Sequence, residues 1–184
     1  MILGLDTGLG TCGWALLDES RCEFLDLGVV IQRRKPSMLL TIDRERRANI
    51  QAEIIAAKAP GCSAIAVERM SFPPGAGIKA AVPIALSWGI VVGIAATMNP
   101  RPRLYTLSPQ KWQREVCPNV KGAVDYETLA TAVGWHILKR HPRAADKLRA
   151  IPDEQKQHAI DAAMIALVAG LRPHRCDVVG EVQL

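Results

Sequence analysis

Apolar and polar positions fall along this 184-residue chain in short, sharply bounded blocks. Three strand-length apolar runs open it, at about 2–7, 12–18 and 23–31, separated by the Gly8–Gly10 turn and the polar stretch 18–22. After "RRKPS" a helical spacing covers roughly 38–58, with Leu39, Ile42, Ile50, Ile54 and Ile55 on one side, and "PGCS" ends it. "AIAV" then reads as a short buried strand closed by Glu68, and the loop "RMSFPPGAG" leads into an Ala/Gly-rich helix near 80–98. "RLYTL" gives a fifth strand. "SPQKWQREV" starts a helix with Ser108 as N-cap and Pro109 at its first position. Two more helices follow, near 125–140 and 153–170, and residues 172–184 read as a loosely held tail.

This order predicts one α/β domain over 1–171, built on a five-stranded mixed sheet flanked by helices. Strands 1–3 form an antiparallel meander. The later strands arrive through helical crossovers, as parallel pairing requires. No internal repeat, low-complexity tract or second domain interrupts the pattern.

Composition narrows the setting. With 49% apolar residues the chain has enough material for a sizeable core, which excludes disorder. The net charge is +5, and 101–149 holds ten Lys/Arg against four acids, so the remainder is close to neutral and a polyanion is a reasonable partner. The five cysteines (Cys12, Cys22, Cys62, Cys117, Cys176) show no C-x-x-C spacing. That argues against a zinc ribbon, a thioredoxin-like site or a disulfide framework and fits a reducing, cytoplasmic setting. The first strand begins at Ile2, leaving no room for a signal peptide before it. The uncharged stretch from Ala80 to Pro100 is about as long as a membrane span, but Pro83, Ser87, Thr97 and Asn99 and the lack of an aromatic belt favour a buried helix.

The chemistry-bearing positions are acids set where hydrophobic strands end. "ILGLD" stops at Asp6 and "AIAVE" at Glu68. A buried carboxylate is costly unless compensated. The candidates are a structural hydrogen bond, a phosphate-facing turn or a metal ion. In "QHAIDAAMIAL", His158 and Asp161 stand at i and i+3 on one helix face. If the three segments converge, the four side chains form a cluster suited to hard divalent cations, Mg²⁺ or Mn²⁺. Two ions about 3.5–4 Å apart would align a water and stabilise a leaving oxygen in phosphodiester cleavage. Taken singly, Asp6 as a cap, Glu68 as a partner of Arg69 and His158 as an ordinary helix residue are the simpler readings. "DTGLGTCG" is also similar to the phosphate-1 hairpin of the sugar-kinase/actin group, whose two domains need far more chain.

In order and spacing, "ILGLDTGLGTCGWALLD", "AIAVERMSF", "ALSWGIVVGIAA" and "QHAIDAAMIAL" together resemble the RuvC family of Holliday-junction resolvases, within the RNase H-like nucleases. The wording is closer to the phage and prophage branch. The resemblance implies metal-binding acids at Asp6, Glu68 and Asp161. The fourth position falls on His158, where many members have Asp and some have His. A neutral imidazole removes one negative charge, which suggests a Mn²⁺ preference or a role as base. The resemblance further implies phosphate contacts from Lys111, Arg114 and Lys121, and a junction-wedging aromatic at Phe72, one position out of register. It implies a homodimer built on the helix near 80–98, where Ala85, Gly89 and Gly93 permit close approach.

The activity so implied is symmetrical nicking of four-way DNA junctions in recombination and repair, in the cytoplasm of a bacterium or phage-infected host. A broader flap and fork nuclease, cleavage of RNA in hybrids, and a non-catalytic nucleic-acid-binding module are the competing functions. Trp14, Trp88, Trp112 and Trp135 read as core or interface residues, and His136 and His141 receive no role.

Overall fold

The computed structural model describes residues 1–69, 77–118 and 125–179, with only the backbone of Ala80. Its first three strands are β1 (Ile2–Thr7), β2 (Thr11–Asp18) and β3 (Glu23–Ile31). Then come α1 (Leu40–Lys58), β4 (Ala64–Glu68), α2 (Ile78–Thr97) and β5 (Arg103–Leu107). The remainder is α3 (Pro109–Val116), α4 (Tyr126–Leu138), α5 (Pro142–Ala150), α6 (Asp153–Leu171) and a short strand, β6 (Asp177–Val179). The strands form one mixed sheet in the order β3-β2-β1-β4-β5-β6. The first three are an antiparallel meander, β1, β4 and β5 run parallel, and β6 returns antiparallel to β5.

Strand alternation divides the side chains between two cores. On one face Leu3, Leu5, Ile65 and Val67 pack with Ile55 of α1 and Val91 and Ala95 of α2. On the other, Ile2, Ala15, Ala64 and Ala66 meet α6. Where α6 crosses the sheet, this face carries small residues for a reason. A Cβ on Gly4 would lie 2.1 Å from the Ala162 carbonyl oxygen, and one on Gly13 would lie 2.1 Å from that of His158. Bare backbone at these two points lets α6 lie directly on β1 and β2, with Ala159–Ala166 buried throughout.

The meander, both crossovers and the Ser108 cap, which accepts from the Lys111 N–H, follow the sequence expectation. Three features depart from it. Part of the stretch expected to be a tail is β6, so the described sheet has six strands rather than five; Val179, Val178 and Asp177 pair with Leu104, Tyr105 and Thr106. A further helix, α5, starts at Pro142 and packs on β3; its buried set is only Ala144, Ala145 and Leu148, too sparse to show as periodicity. On α1, Leu39 and Ile42 are exposed, and the buried positions are Asp43, Ala48, Gln51 and Ile55. Polar partners explain that rotation: Arg46 and Arg47 neutralise Asp43, and the Ser87 hydroxyl donates to Gln51 Oε1 at 2.9 Å. Among the described residues, no helix is long and apolar enough to cross a membrane.

Candidate active site

β1, β4 and β5 are parallel, so their C-terminal ends share one edge of the sheet. Leu5 pairs with Val67, and one step beyond them stand Asp6, the last residue but one of β1, and Glu68, the last of β4, on adjacent strands about 4.8 Å apart. By alternation both face α6. That helix supplies His158, whose Nδ1 lies 2.6 Å from Asp6 Oδ2. One turn on, Asp161 is 7% exposed and accepts from the Thr131 hydroxyl at 3.4 Å. The glycines decide this meeting. Asp6 pairs across the sheet with Gly13, and it is at Gly13 that the His158 backbone touches down.

The electrostatics are those of acids crowded together. Burial, then repulsion by Asp6, pushes the Glu68 carboxyl up to about 7, although the Trp112 indole N–H donates to it at 2.9 Å. Asp161 is pushed up to about 8, first by burial and then by Asp6 and Glu68, against smaller opposing effects of His158 and Thr131. His158 is shifted in the complementary direction, above the usual imidazole value, chiefly by its hydrogen bond to Asp6. Among the described residues, no Lys or Arg is one of the groups that shift Glu68, Asp161 or His158. His158 is thus, among the described residues, the one partner of the cluster that becomes cationic on protonation.

As placed, the side chains are not a closed chelate. Among the described residues no three His, Cys, Asp or Glu side chains are gathered tightly enough to hold a metal ion. Asp6 is turned to His158 and Glu68 to Trp112. The donor set itself, three carboxylates and one imidazole with uncompensated negative charge, suits a hard divalent cation.

The other expected contacts divide. Lys111 of α3 lies at the same sheet end, but Asp177 of β6 holds its ammonium at 3.0 Å and also takes Arg69 at 3.2 Å. Arg114 lines a polar cavity of about 350 Å³ with Lys111, Glu115, His174 and Arg175. Phe72 and Lys121 lie outside the described residues.

Two contributors were not foreseen. Glu127 of α4 raises the affinity of both Glu68 and His158 for protons and accepts from Gln157 Nε2 at 2.7 Å. Thr131, one turn further, reaches Asp161, so α4 braces α6 at positions four apart on both helices. Their matched i, i+4 spacing was readable; the pairing of α4 with α6 was not. Beside this brace a cleft of about 510 Å³ opens, lined by Trp135, Lys156 and Ile160 among others. Of the tryptophans, Trp112 is a core residue as expected, with the added bond to Glu68.

No family model and no curated protein matches the sequence. Solved structures do match over almost the whole chain. The structure described as T. thermophilus RuvC in complex with Holliday junction substrate superimposes with a TM-score of 0.64, at 18% identity, covering 97% of this chain and 98% of that one. A Thermus thermophilus RuvC structure gives 0.60 at 19%, covering 97% and 99%. At this identity the likeness establishes the fold. The chain has the mixed α/β architecture of RuvC, and the resemblance drawn from the sequence holds at that level.

Proposed function

We propose that the chain is a divalent-metal-dependent endonuclease that resolves four-way DNA junctions by paired, symmetrical nicking. One observation supports this above the rest: Asp6, Glu68 and Asp161, from β1, β4 and α6, meet at one sheet end as mutually repelling carboxylates, and among the described residues no Lys or Arg offsets Glu68 or Asp161. A binding module gains nothing from buried like charges, whereas a cation-dependent hydrolase needs them. The fold shared with T. thermophilus RuvC, solved in complex with a Holliday junction substrate, points to the same chemistry.

Asp6, Glu68, Asp161 and His158 would hold Mg²⁺ or Mn²⁺, two ions per site, by side-chain rotation from their present partners. When bound, the cations would polarise the phosphate and lower the pKa of a water. The protein's own part is positional. Adjacent strand ends fix Asp6 and Glu68; Thr131 orients Asp161; Asp6 engages Nδ1 of the part-exposed His158, leaving Nε2 to ligate or to accept a proton. Water attacks phosphorus, the 3′ oxygen leaves, and the products are a 3′-hydroxyl and a 5′-phosphate.

The test is cleavage of a synthetic four-way junction with Mg²⁺ or Mn²⁺, beside a flap, a fork, an RNA–DNA hybrid and a plain duplex. Paired nicks confined to the junction are expected. Equal cutting of flap and fork identifies the broader branched-DNA nuclease, and no cutting in either metal overturns hydrolysis.

Paired nicking calls for two sites, and the exposed face of α2 suits a symmetric mate. Ala85, Gly89 and Gly93 lie along it, and a Cβ on either glycine meets nothing within 4 Å. Ile78 (81% exposed) and Val82 (38%) extend the face. Gly89→Glu is expected to leave the monomer folded and abolish the dimer by sedimentation, turning paired nicks into single ones. An unchanged sedimentation coefficient would place the interface elsewhere.

A further inference from the structure

The charge that composition assigns to 101–149 has a counterpart that only the topology makes meaningful. Between 33 and 47 stand six basic residues (Arg33, Arg34, Lys35, Arg44, Arg46, Arg47) against two acids, Asp43 and Glu45. Arg46 and Arg47 are spent on Asp43. Arg33, Arg34 and Lys35 are exposed, and among the described residues none of their side chains has an acidic partner. Elsewhere on the chain Lys58, Lys111, Lys147, Arg69 and Arg172 each hold a carboxylate.

The backbone under these three cations is fixed. Asp43, fully buried, accepts from the Lys35 N–H at 3.2 Å, and Arg46 donates to the Arg33 carbonyl at 2.9 Å. The Gln32 N–H donates to the Gly10 carbonyl at 2.8 Å, which ties the start of the run to the β1–β2 turn. A corner pinned at both ends displays its cations with little ordering entropy left to lose.

Sheet order places this corner. β3 ends opposite Thr11, and Thr11 lies beside the end of β1, so the run leaves the sheet at the edge where Asp6 and Glu68 sit. Lys111 and Arg114 follow β5 on the other flank of the same edge. From β3 to β5 is four strand spacings, about 19 Å, with the carboxylates between. That span matches about five to six base-pair steps at 3.4 Å each.

We infer that Arg33, Arg34 and Lys35 form a phosphate-backbone contact for a duplex arm of the DNA whose scissile phosphate lies at Asp6 and Glu68. The inference rests on the proposed function and deepens it. Acids in the middle, with the three unpaired cations of this corner on one flank and the exposed Arg114 on the other, favour a polyanion lying across the site. The contact reads no base; it positions.

The test is the salt dependence of junction binding in EDTA, where no strand is cut, for wild type, Arg33→Gln/Arg34→Gln and a control of equal charge, Arg21→Gln/Arg101→Gln. The control residues lie at the opposite end of the sheet, after β2 and before β5. Each phosphate contact contributes about 0.9 to the slope of log affinity against log salt, so the corner variant is expected to lose about 1.8. Its affinity near physiological salt should fall about tenfold or more, with the thermal midpoint unchanged and the control behaving as wild type. Equal losses in both variants, or none in either, overturn the contact. A wild type that binds no branched DNA overturns it together with the function on which it rests.

Discussion

Asp6→Asn is expected to lower junction cleavage at least about a thousandfold and, in metal-free buffer above pH 8, to make the protein more stable than wild type. The loss follows because Asp6 is the acid at the centre of the cluster: it acts on Glu68, Asp161 and His158 alike. The gain follows from the same fact. Glu68 and Asp161, with folded values of about 7 and about 8, hold protons that the unfolded chain has already released. Between about pH 4 and pH 8 the native state therefore binds more protons than the unfolded one, and wild-type stability falls as pH rises, by about 1.4 kcal/mol per pH unit for each such proton. His158 works in the same direction, because its raised value means that its pairing with Asp6 is lost as pH climbs. Asparagine removes the repulsion and still accepts a hydrogen bond at Oδ1.

The sign reverses in acid. Below about pH 5, with Glu68 and Asp161 protonated, only the attraction between Asp6 and a charged His158 remains, and wild type is the more stable of the two. The thermal midpoints of the two proteins plotted against pH should cross once. A variant less stable than wild type at every pH would show that repulsion from Asp6 is not what burdens the site, and a variant that still cuts would remove Asp6 from the chemistry. Added Mg²⁺ or Mn²⁺ should raise the wild-type midpoint more than that of the variant, since the cation neutralises what the substitution has already removed.

How much of this was legible in the sequence depends on the range of the signal. β1, β2 and β3 are defined by alternation and by turns, both local, and their bounds come out within a residue. Asp6 and Glu68 announce themselves because an acid closing a run of core residues violates a local rule. β6 could not be seen: three residues, Asp177–Val179, are too few for alternation to register, and their stability is borrowed from pairing with β5. The expected face of α1 holds only in part: Ile55 is buried, but Leu39 and Ile42 are exposed, and the structure buries Gln51 and Asp43 against partners remote in the chain or on the helix's own polar side. Glu127 and Thr131 escaped for a like reason. Their role exists only once α4 lies on α6, and nothing within α4 names its neighbour.

The last expectation concerns a residue without a side chain. Gly13→Ala should reduce cleavage about a hundredfold or more while leaving the sheet intact. Its new methyl carbon would fall 2.1 Å from the His158 carbonyl oxygen and 2.5 Å from its carbonyl carbon. These are backbone atoms of a buried helix, with no rotamer to yield, so α6 must move off β2. Overpacking of this kind costs about 1–3 kcal/mol, which a core of this size survives. The 2.6 Å bond between His158 and Asp6 does not survive it, and neither does the approach of Asp161 to Glu68, because both α6 residues ride on the displaced segment. A shift of about 1 Å in such a constellation is enough for a hundredfold loss. Gly10→Ala is the matched control: Gly10 stands three residues before Gly13, in the turn between β1 and β2, but a Cβ there meets nothing within 4 Å, and the change should leave stability within about 0.5 kcal/mol and cleavage unaltered. Should Gly13→Ala cut as well as wild type while its midpoint falls, α6 can retreat without disturbing the chemistry, and His158 and Asp161 would have to be withdrawn from it together. If instead Gly13→Ala fails and Gly10→Ala does not, the catalytic distance in this fold is set by what the second strand omits: a methyl group under a helix, at the position paired with Asp6.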